Sequence, residues 1–339
     1  MSTPVLPRLG RYTITTNQLE EFVNIVCLWI RQSLPGGLIY GRQRAGKSTA
    51  VHHFVGTLQI YFQDTVGCIA AEVQPGSLGS AKPFWGGLLK SMKIPVPPSK
   101  SAEVRRDWFV GRIVEAAASS VLNKVAVIID EASLLTESAW LLLLGVDNEL
   151  RTAYDIDVTW LFVGQPELAT VPVMYLGLGR REVVGRFMTD SYEFRDMSDV
   201  NDFRRALAGF DVLKDRSDGH PLSENAHPKK YLGGWRFADE AEVILNAVDE
   251  ARSEHGLEAR EGMTVQGFVR LATHLIVETI PDLAIDEPLT QAMVLDAIDA
   301  TNCLIFERHA EMLAAEPAVS EKGKPYRSSA AREAKAPMN

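Results

Sequence analysis

With 339 residues, 46% of them hydrophobic, the chain is long enough for two or three domains and can bury a sizeable core. A net charge of −9 is the wrong sign for a dedicated nucleic-acid binder, so any DNA contact has to come from a local basic patch. No run approaches the ~18 apolar residues of a membrane-spanning helix, and residues 1–11 lack the apolar core of a signal peptide. Cys27, Cys68 and Cys303 are far apart and form no metal-ligand pair, which fits a reducing, cytoplasmic compartment.

Residues 1–36 read as an N-terminal segment. Thr16 caps a helix from Asn17 to about Gln32, with Leu19, Phe22, Val23, Ile25, Val26 and Trp29 as its apolar stripe. That helix either covers a bound base or is an ordinary packing helix. Gly37 to Tyr40 then reads as a buried strand, and Thr49 to Val55 as a helix. Between them lies Gly41-Arg42-Gln43-Arg44-Ala45-Gly46-Lys47-Ser48, the spacing of a phosphate-binding loop. Its glycines let successive amides curl inward around a phosphate, and the following helix N-terminus adds partial positive charge. The expected nucleotide-binding set is Gly41, Arg44, Ala45, Gly46, Lys47, Ser48 and Thr49. Lys47 reaches the terminal phosphates of ATP, and Ser48 holds Mg²⁺ through its hydroxyl.

Thr65 to Val73 is small and apolar and fits a central parallel strand buried on both faces. Residues 74–100 are rich in Gly, Pro, Ser and Lys, with a short helix expected over Pro83 to Met92. Ser101 caps a helix to about Leu122, whose apolar face is Trp108, Val110, Ile113, Val114 and Ala117. Between Gly76 and Arg112 lie Lys82, Lys90, Lys93, Lys100, Arg105, Arg106 and Arg112, opposed only by Glu103 and Asp107, so seven basic and two acidic residues leave the segment at +5. Such a patch suits the phosphates of double-stranded DNA without base readout. The other reading is a solvated face.

Val125 to Ile129 reads as a buried strand that ends in Asp130 and Glu131. Asp130 stands where the metal-side acid of a nucleoside triphosphatase belongs, and Glu131 where a general base polarises water. Thr136 caps the next helix. Val158 to Val163 is a fourth strand, tipped by Gly164-Gln165-Pro166-Glu167-Leu168. In a parallel sheet Gln165 lies between the two anchors beside the γ-phosphate, or else it caps the following turn. Gly179 to Phe187 holds Arg180, Arg181 and Arg186 ahead of a fifth strand near Tyr192 to Phe194.

Residues 198–315 look helical, with helices capped by Ser198, over 238–254, over 264–280, and from Thr290. Arg270, on the third of these, either contacts a γ-phosphate from within the subunit or is an exposed helix charge. Residues 211–236 read as an exposed connection, and His220, His227 and His255 as surface residues. Residues 316–339 lack apolar periodicity and read as a disordered tail, a candidate docking segment.

Strands alternating with helices, then helices alone, describe an α/β fold: a parallel-sheet nucleotide domain (37–197) with a C-terminal helical lid (198–315). Together the phosphate loop, Asp130-Glu131, the Gly-Gln-Pro-Glu-Leu tip and Gly185-Arg186-Phe187 resemble AAA+ ATPases, and the tip resembles the TniB/TnsC transposition regulators, relatives of ExeA-type ATPases. More typical AAA+ proteins carry Asn, Ser or Thr at the position of Gln165. The resemblance implies an ATP- and Mg²⁺-dependent homo-oligomer, ring or helical filament, assembled on double-stranded DNA. It implies a link between a target-selecting TniQ-type adaptor and a transposase. It also implies an arginine, Arg186 with Arg180 and Arg181 as alternatives, facing the neighbouring subunit's nucleotide. Two other classes remain open: an ExeA-like motor ATPase, which wants a membrane span, and an initiator or helicase loader, which wants a DNA-reading module after the lid.

Overall fold

The structure is a computed structural model that describes residues 13–214, 219–257, 262–305 and 307–308. The segment 316–339 lies outside the described residues, as does the end of the helical region before it.

Helix α1 (Asn17–Arg31) begins where Thr16 Oγ1 accepts the Leu19 N–H, satisfying one of the free amides of the first turn. Strand β1 (Gly36–Tyr40) leads through the loop at 41–46 into α2 (Lys47–Phe62). Then come β2 (Gly67–Glu72), α3 (Ala81–Ser91), α4 (Ala102–Ala118) and β3 (Lys124–Asp130). They are followed by α5 (Glu137–Ala153), β4 (Asp157–Gly164), α6 (Val171–Gly177), α7 (Arg181–Phe187) and β5 (Asp190–Glu193). The chain closes with α8 (Val200–Val212), α9 (Leu222–Ala226), α10 (Pro228–Leu232), α11 (Ala241–Glu254), α12 (Val265–His274) and α13 (Gln291–Thr301).

The five strands form one parallel sheet in the order β2-β3-β4-β1-β5. Strand β4 therefore lies between β1 and β3, with Ile39 opposite Val163 and Ile129 opposite Phe162. Both faces are covered. On one, Phe22 of α1 and Phe54 of α2 meet edge to face and pack on Ile39, Ile128 and Leu161. On the other, α3, α4, α5 and α7 cover Val127, Trp160 and Phe162, with Trp140 and Phe187 closing the layer. Each large apolar side chain buried this way contributes about 1.5–3 kcal/mol.

The lid has its own core, built on Phe203, Phe210, Phe237, Phe268 and Leu271, and Ile14 from the N-terminal segment packs into it. Helix α1 straps lid to sheet. Asn17 donates to Asp202 of α8, Trp29 donates to Asp190 of β5, and Arg195 bridges Glu21 and Asp202. No helix among the described residues is long and apolar enough to cross a membrane.

Several sequence expectations need correction. Strand β2 is an edge strand, not a central one. Its small residues answer to close packing instead, since a Cβ at Gly67 would run into the Ala116 backbone of α4. Helix α4 stops at Ala118, where a tight turn begins, and Val121 and Leu122 are exposed. The cap of α8 is Asp199, whose carboxylate accepts two amides, while the Ser198 N–H donates to Asp202. The connection at 211–236 contains α9 and α10. His227 within it is 8% exposed, because one ring nitrogen accepts the Lys230 N–H and the other faces the Leu283 carbonyl. The helix expected over 264–280 is α-helical only to His274, then widens into a π-turn at 275–279.

Candidate nucleotide site

The loop between β1 and α2 is held in shape by its backbone. Gly46 has φ 105° and Arg44 φ 66°, both in the left-handed region. For Arg44 this costs roughly 1–3 kcal/mol, a strain typical of ligand-gripping segments. At Gly41 a Cβ would run into the Phe194 carbonyl, so the loop starts pressed against the end of β5. Ala45 is buried, while Ser48 and Thr49 are exposed at the start of α2. The first bond inside α2 runs from the Ala50 N–H to the Gly46 carbonyl, and Gly46 offers no side-chain cap. The amides of Lys47, Ser48 and Thr49 thus precede the intrahelical ladder and suit an anion at the helix N-terminus.

Lys47 is 7% exposed. Its ammonium donates to the carbonyl oxygens of Gly41 and Arg42, each at 2.6 Å. Burial pushes its pKa down, and the carboxylates of Asp130, Glu131, Asp196 and Glu167 pull it back up. A cation surrounded by four acids fits a phosphate chain that adds charge of the same sign between them only if a second cation joins it. The donor set supplies that: the Ser48 hydroxyl and the Asp130 carboxylate are hard oxygen ligands of the kind Mg²⁺ prefers.

Because β4 lies between β1 and β3, the tips of the three strands converge. The Gly41 N–H donates to the Gly164 carbonyl at 3.3 Å. Glu131 has φ 55°, and its N–H donates to Asp130 Oδ1 at 2.9 Å. The Gln165 N–H donates to Ser133 Oγ at 2.6 Å, which ties the tip of β4 to the turn that follows Glu131. Burial, and then the neighbouring Asp130, raise the Glu131 pKa, while Lys47 and Gln165 act the other way. A carboxylate with raised proton affinity next to a buried lysine is suited to take a proton from water.

The lid reaches the loop through the start of α12. The Gln266 N–H donates to the Arg44 carbonyl, and Arg44 donates back to Gln266 Oε1 at 2.7 Å. Arg42 pairs with Asp196 at 3.3 Å. Arg270, one turn further along α12, lines a cleft of about 330 Å³ with His274, Val277 and Thr301 of the lid.

Arg186 stands apart from this site. Its backbone lies against Gly36, at the start of β1, whereas the phosphate loop follows the end of that strand. Its guanidinium pairs at 3.2 Å with Asp147, a fully buried carboxylate that also accepts from Arg151 and from the Trp160 indole. Arg180 pairs with Glu137, and Arg181 is exposed.

The basic segment splits in two. Lys82, Lys90, Lys93 and Lys100 are exposed on α3 and the loop after it. Arg105, in contrast, donates to the carbonyls of Lys82, Pro97, Pro98 and Lys100 and so clamps the proline loop to α3 and α4. Arg106 pairs with Asp107 and Glu149, and Arg112 with Glu115. Arg105 and Arg106 are thus committed inside the chain.

Sequence reasoning missed Ser133, Asp147 and Asp196. Ser133 carries no motif of its own; only its place three residues past Asp130 marks it. Asp147 looks like one more acid on a helix, and its burial shows only in the fold. Asp196 sits just past β5, and burial pushes its pKa up to about 6.

Residues 32–171 match the model of a family described as an AAA domain. With the strand order, the loop and the helices that follow, the fold is that of an AAA+ phosphate-loop domain carrying a helical lid. Among solved structures the chain is similar to a Walker-type ATPase of Pyrococcus abyssi, at 13% identity over 92% of this chain and 79% of that one, TM-score 0.49. It is similar to the ORC2 protein of Aeropyrum pernix, at 15% identity over 88% and 69%, TM-score 0.45. It is also similar to the Aeropyrum pernix ORC1 protein in complex with DNA, at 12% identity over 87% and 86%, TM-score 0.42. Comparison with curated protein sequences gives no match.

Proposed function

We propose that the protein hydrolyses ATP with Mg²⁺ and assembles as a homo-oligomer on double-stranded DNA, where it regulates transposition in the manner of the TniB/TnsC proteins. The observation that carries the ATPase reading is the meeting of three strand tips: the loop with Lys47, the Asp130-Glu131 turn, and Gln165 at the end of β4, tied to that turn through Ser133. Lys47 and the first amides of α2 bind the phosphates. Ser48 and Asp130 hold Mg²⁺, which supplies charge neutralisation for phosphoryl transfer. Glu131 accepts the proton of the attacking water, and Gln165 lies beside the γ-phosphate.

The transposition reading rests on the Gly164-Gln165-Pro166-Glu167-Leu168 tip together with the four exposed lysines of the 82–100 region. In this reading Arg186 acts on the neighbouring subunit's nucleotide, and the oligomer joins a TniQ-type adaptor to a transposase. Electron microscopy of the protein with ATP, Mg²⁺ and linear duplex DNA tests it. Ordered nucleotide-dependent assemblies on the duplex are expected. Assemblies that form equally without nucleotide, or that ignore duplex DNA, would remove it.

A further inference from the structure

Asp147 lies within α5 and is fully buried, where an ionised carboxylate survives only if it is paired and hydrogen-bonded. Two donors inside the fold meet that need. Arg151, one turn along the same helix, sets its Nε 3.0 Å from Oδ1 and 3.1 Å from Oδ2, and donates from a terminal nitrogen to the Val158 carbonyl at 2.6 Å. The Trp160 indole donates to Oδ1 at 2.8 Å. The Asp147 charge is thus balanced before Arg186 is counted. Arg186 nevertheless brings its Nε to 3.2 Å from Oδ2, so this pair serves the arginine more than the carboxylate. The backbone beneath it is equally fixed. A Cβ at Gly36 would run into the Arg186 carbonyl and Phe187 Cα, and the Phe187 ring is packed among Trp140, Trp160 and Phe162.

The far end of Arg186 is not used in this way. Its side chain is 35% exposed, and its terminal amino groups have no partner among the described residues. With Pro35, Leu144, Asn148, Glu182 and Gly185 it lines a recess of about 400 Å³. We infer that Asp147 is a positioning residue for an arginine that acts between subunits: it holds the Nε edge of Arg186 and leaves the terminal amino groups to meet the neighbouring subunit's nucleotide. The inference rests on the reading of Arg186 given above. Asp147 itself touches no phosphate. It acts through Arg186, because a guanidinium held along one edge has less freedom left to lose when its fork closes on an anion. Arg151 and Trp160 in turn keep the carboxylate from following Arg186 outward.

The test is ATP turnover of the full chain with Mg²⁺ and duplex DNA, for Arg186→Ala, Asp147→Asn, the double variant and Arg186→Lys, each alone and mixed with Lys47→Ala subunits. Asp147→Asn keeps the shape of the side chain but not its charge. It is expected to lower kcat about 10- to 100-fold, the scale of a displaced catalytic group, with ATP affinity unchanged. Lys47→Ala subunits carry an intact Asp147 and Arg186, so mixing them in should restore part of the turnover. A merely structural loss damages the subunit's own site, and mixing does not repair it. In the Arg186→Ala background Asp147→Asn should cost nothing further, because the two act as one unit. Arg186→Lys keeps the charge, but one ammonium cannot hold Asp147 and reach outward together. It should behave like Arg186→Ala, and it decides the matter if Asp147→Asn does not fold. A wild-type kcat in Asp147→Asn or in Arg186→Lys would overturn the inference, and so would an Asp147→Asn loss that mixing leaves unrepaired. Full turnover in Arg186→Ala would overturn the reading of Arg186 and this inference with it. Loss there beside wild-type turnover in Asp147→Asn overturns this inference alone.

Discussion

The Lys47 ammonium donates to the carbonyl oxygen of Gly41, 2.6 Å away, so the loop lysine closes the first turn of its own loop. The same atom that would grip a phosphate thus shapes the ring of amides around it. Lys47→Ala should remove both functions, abolishing ATP binding while leaving the sheet intact. Titration with a fluorescent ATP analogue checks this, and unchanged affinity would refute the site.

Glu131→Gln keeps the size of the side chain but cannot take a proton. ATP binding should persist while turnover falls by about 10²–10⁴, the usual worth of a positioned general base. In the wild-type protein the raised Glu131 pKa puts the base form at risk in mild acid. Activity should therefore fall, as pH drops, from a higher pH than an ordinary glutamate would give. A pH–rate profile of kcat/KM measures it.

Arg186 should matter only across a subunit boundary. Truncating it leaves Asp147 with Arg151 and Trp160, so Arg186→Ala is expected to fold normally. Its turnover should fall by about 10³–10⁵ if it completes a phosphoryl-transfer site. Mixing Arg186→Ala with Lys47→Ala subunits should restore part of the activity. Full activity of Arg186→Ala alone would place the finger elsewhere.

The two halves of the basic segment predict opposite phenotypes. Replacing Lys82, Lys90, Lys93 and Lys100 with Gln should flatten the salt dependence of duplex binding, by about 0.9 in log–log slope for every DNA phosphate that is no longer neutralised. Thermal stability should be unchanged. Arg105→Ala should instead release the loop carbonyls it holds and lower the melting temperature. DNA affinity against salt, beside thermal melts, separates the two.

Asp196 carries a folded-state pKa of about 6 against a reference of 3.8. The folded protein therefore binds a proton there that the unfolded chain releases. The stability from this proton is present below about pH 4 and is lost as pH rises through 6. Asp196→Asn does not titrate, so its stability relative to wild type should grow over that interval and level off above it. Denaturant melts across the range check the trend.

How far the sequence reached follows from what each signal depends on. Caps such as Thr16, Ser101, Thr136 and Thr290 act within one turn, so they were readable and they hold. The loop and the Asp130-Glu131 strand end were readable because chemistry fixes their spacing, and the parallel order brings their strands to either side of β4. Edge position was not readable, since β2 is made of small apolar residues for the sake of α4 beside it. Nor was the fate of each basic residue. Arg105 and Lys100 look alike in a charge count, but only the fold shows one turned inward on carbonyls and the other exposed. Asp147 and His227 were illegible for the same reason: their partners lie far away in sequence.

Arg44 and Gln266 exchange two hydrogen bonds, so the first turn of α12 rests directly on the phosphate loop. Lifting the lid breaks both, at a cost of about 1 kcal/mol each, and disturbs the strained residue that shapes the loop. In the proposed ATPase, the residence time of a nucleotide held by the loop would therefore be tied to how often these two bonds open. The lid would thereby act as a timer in that proposal: whatever presses α12 down would prolong the nucleotide-bound state, and whatever pulls it away would shorten it, without touching the proposed hydrolytic residues at all.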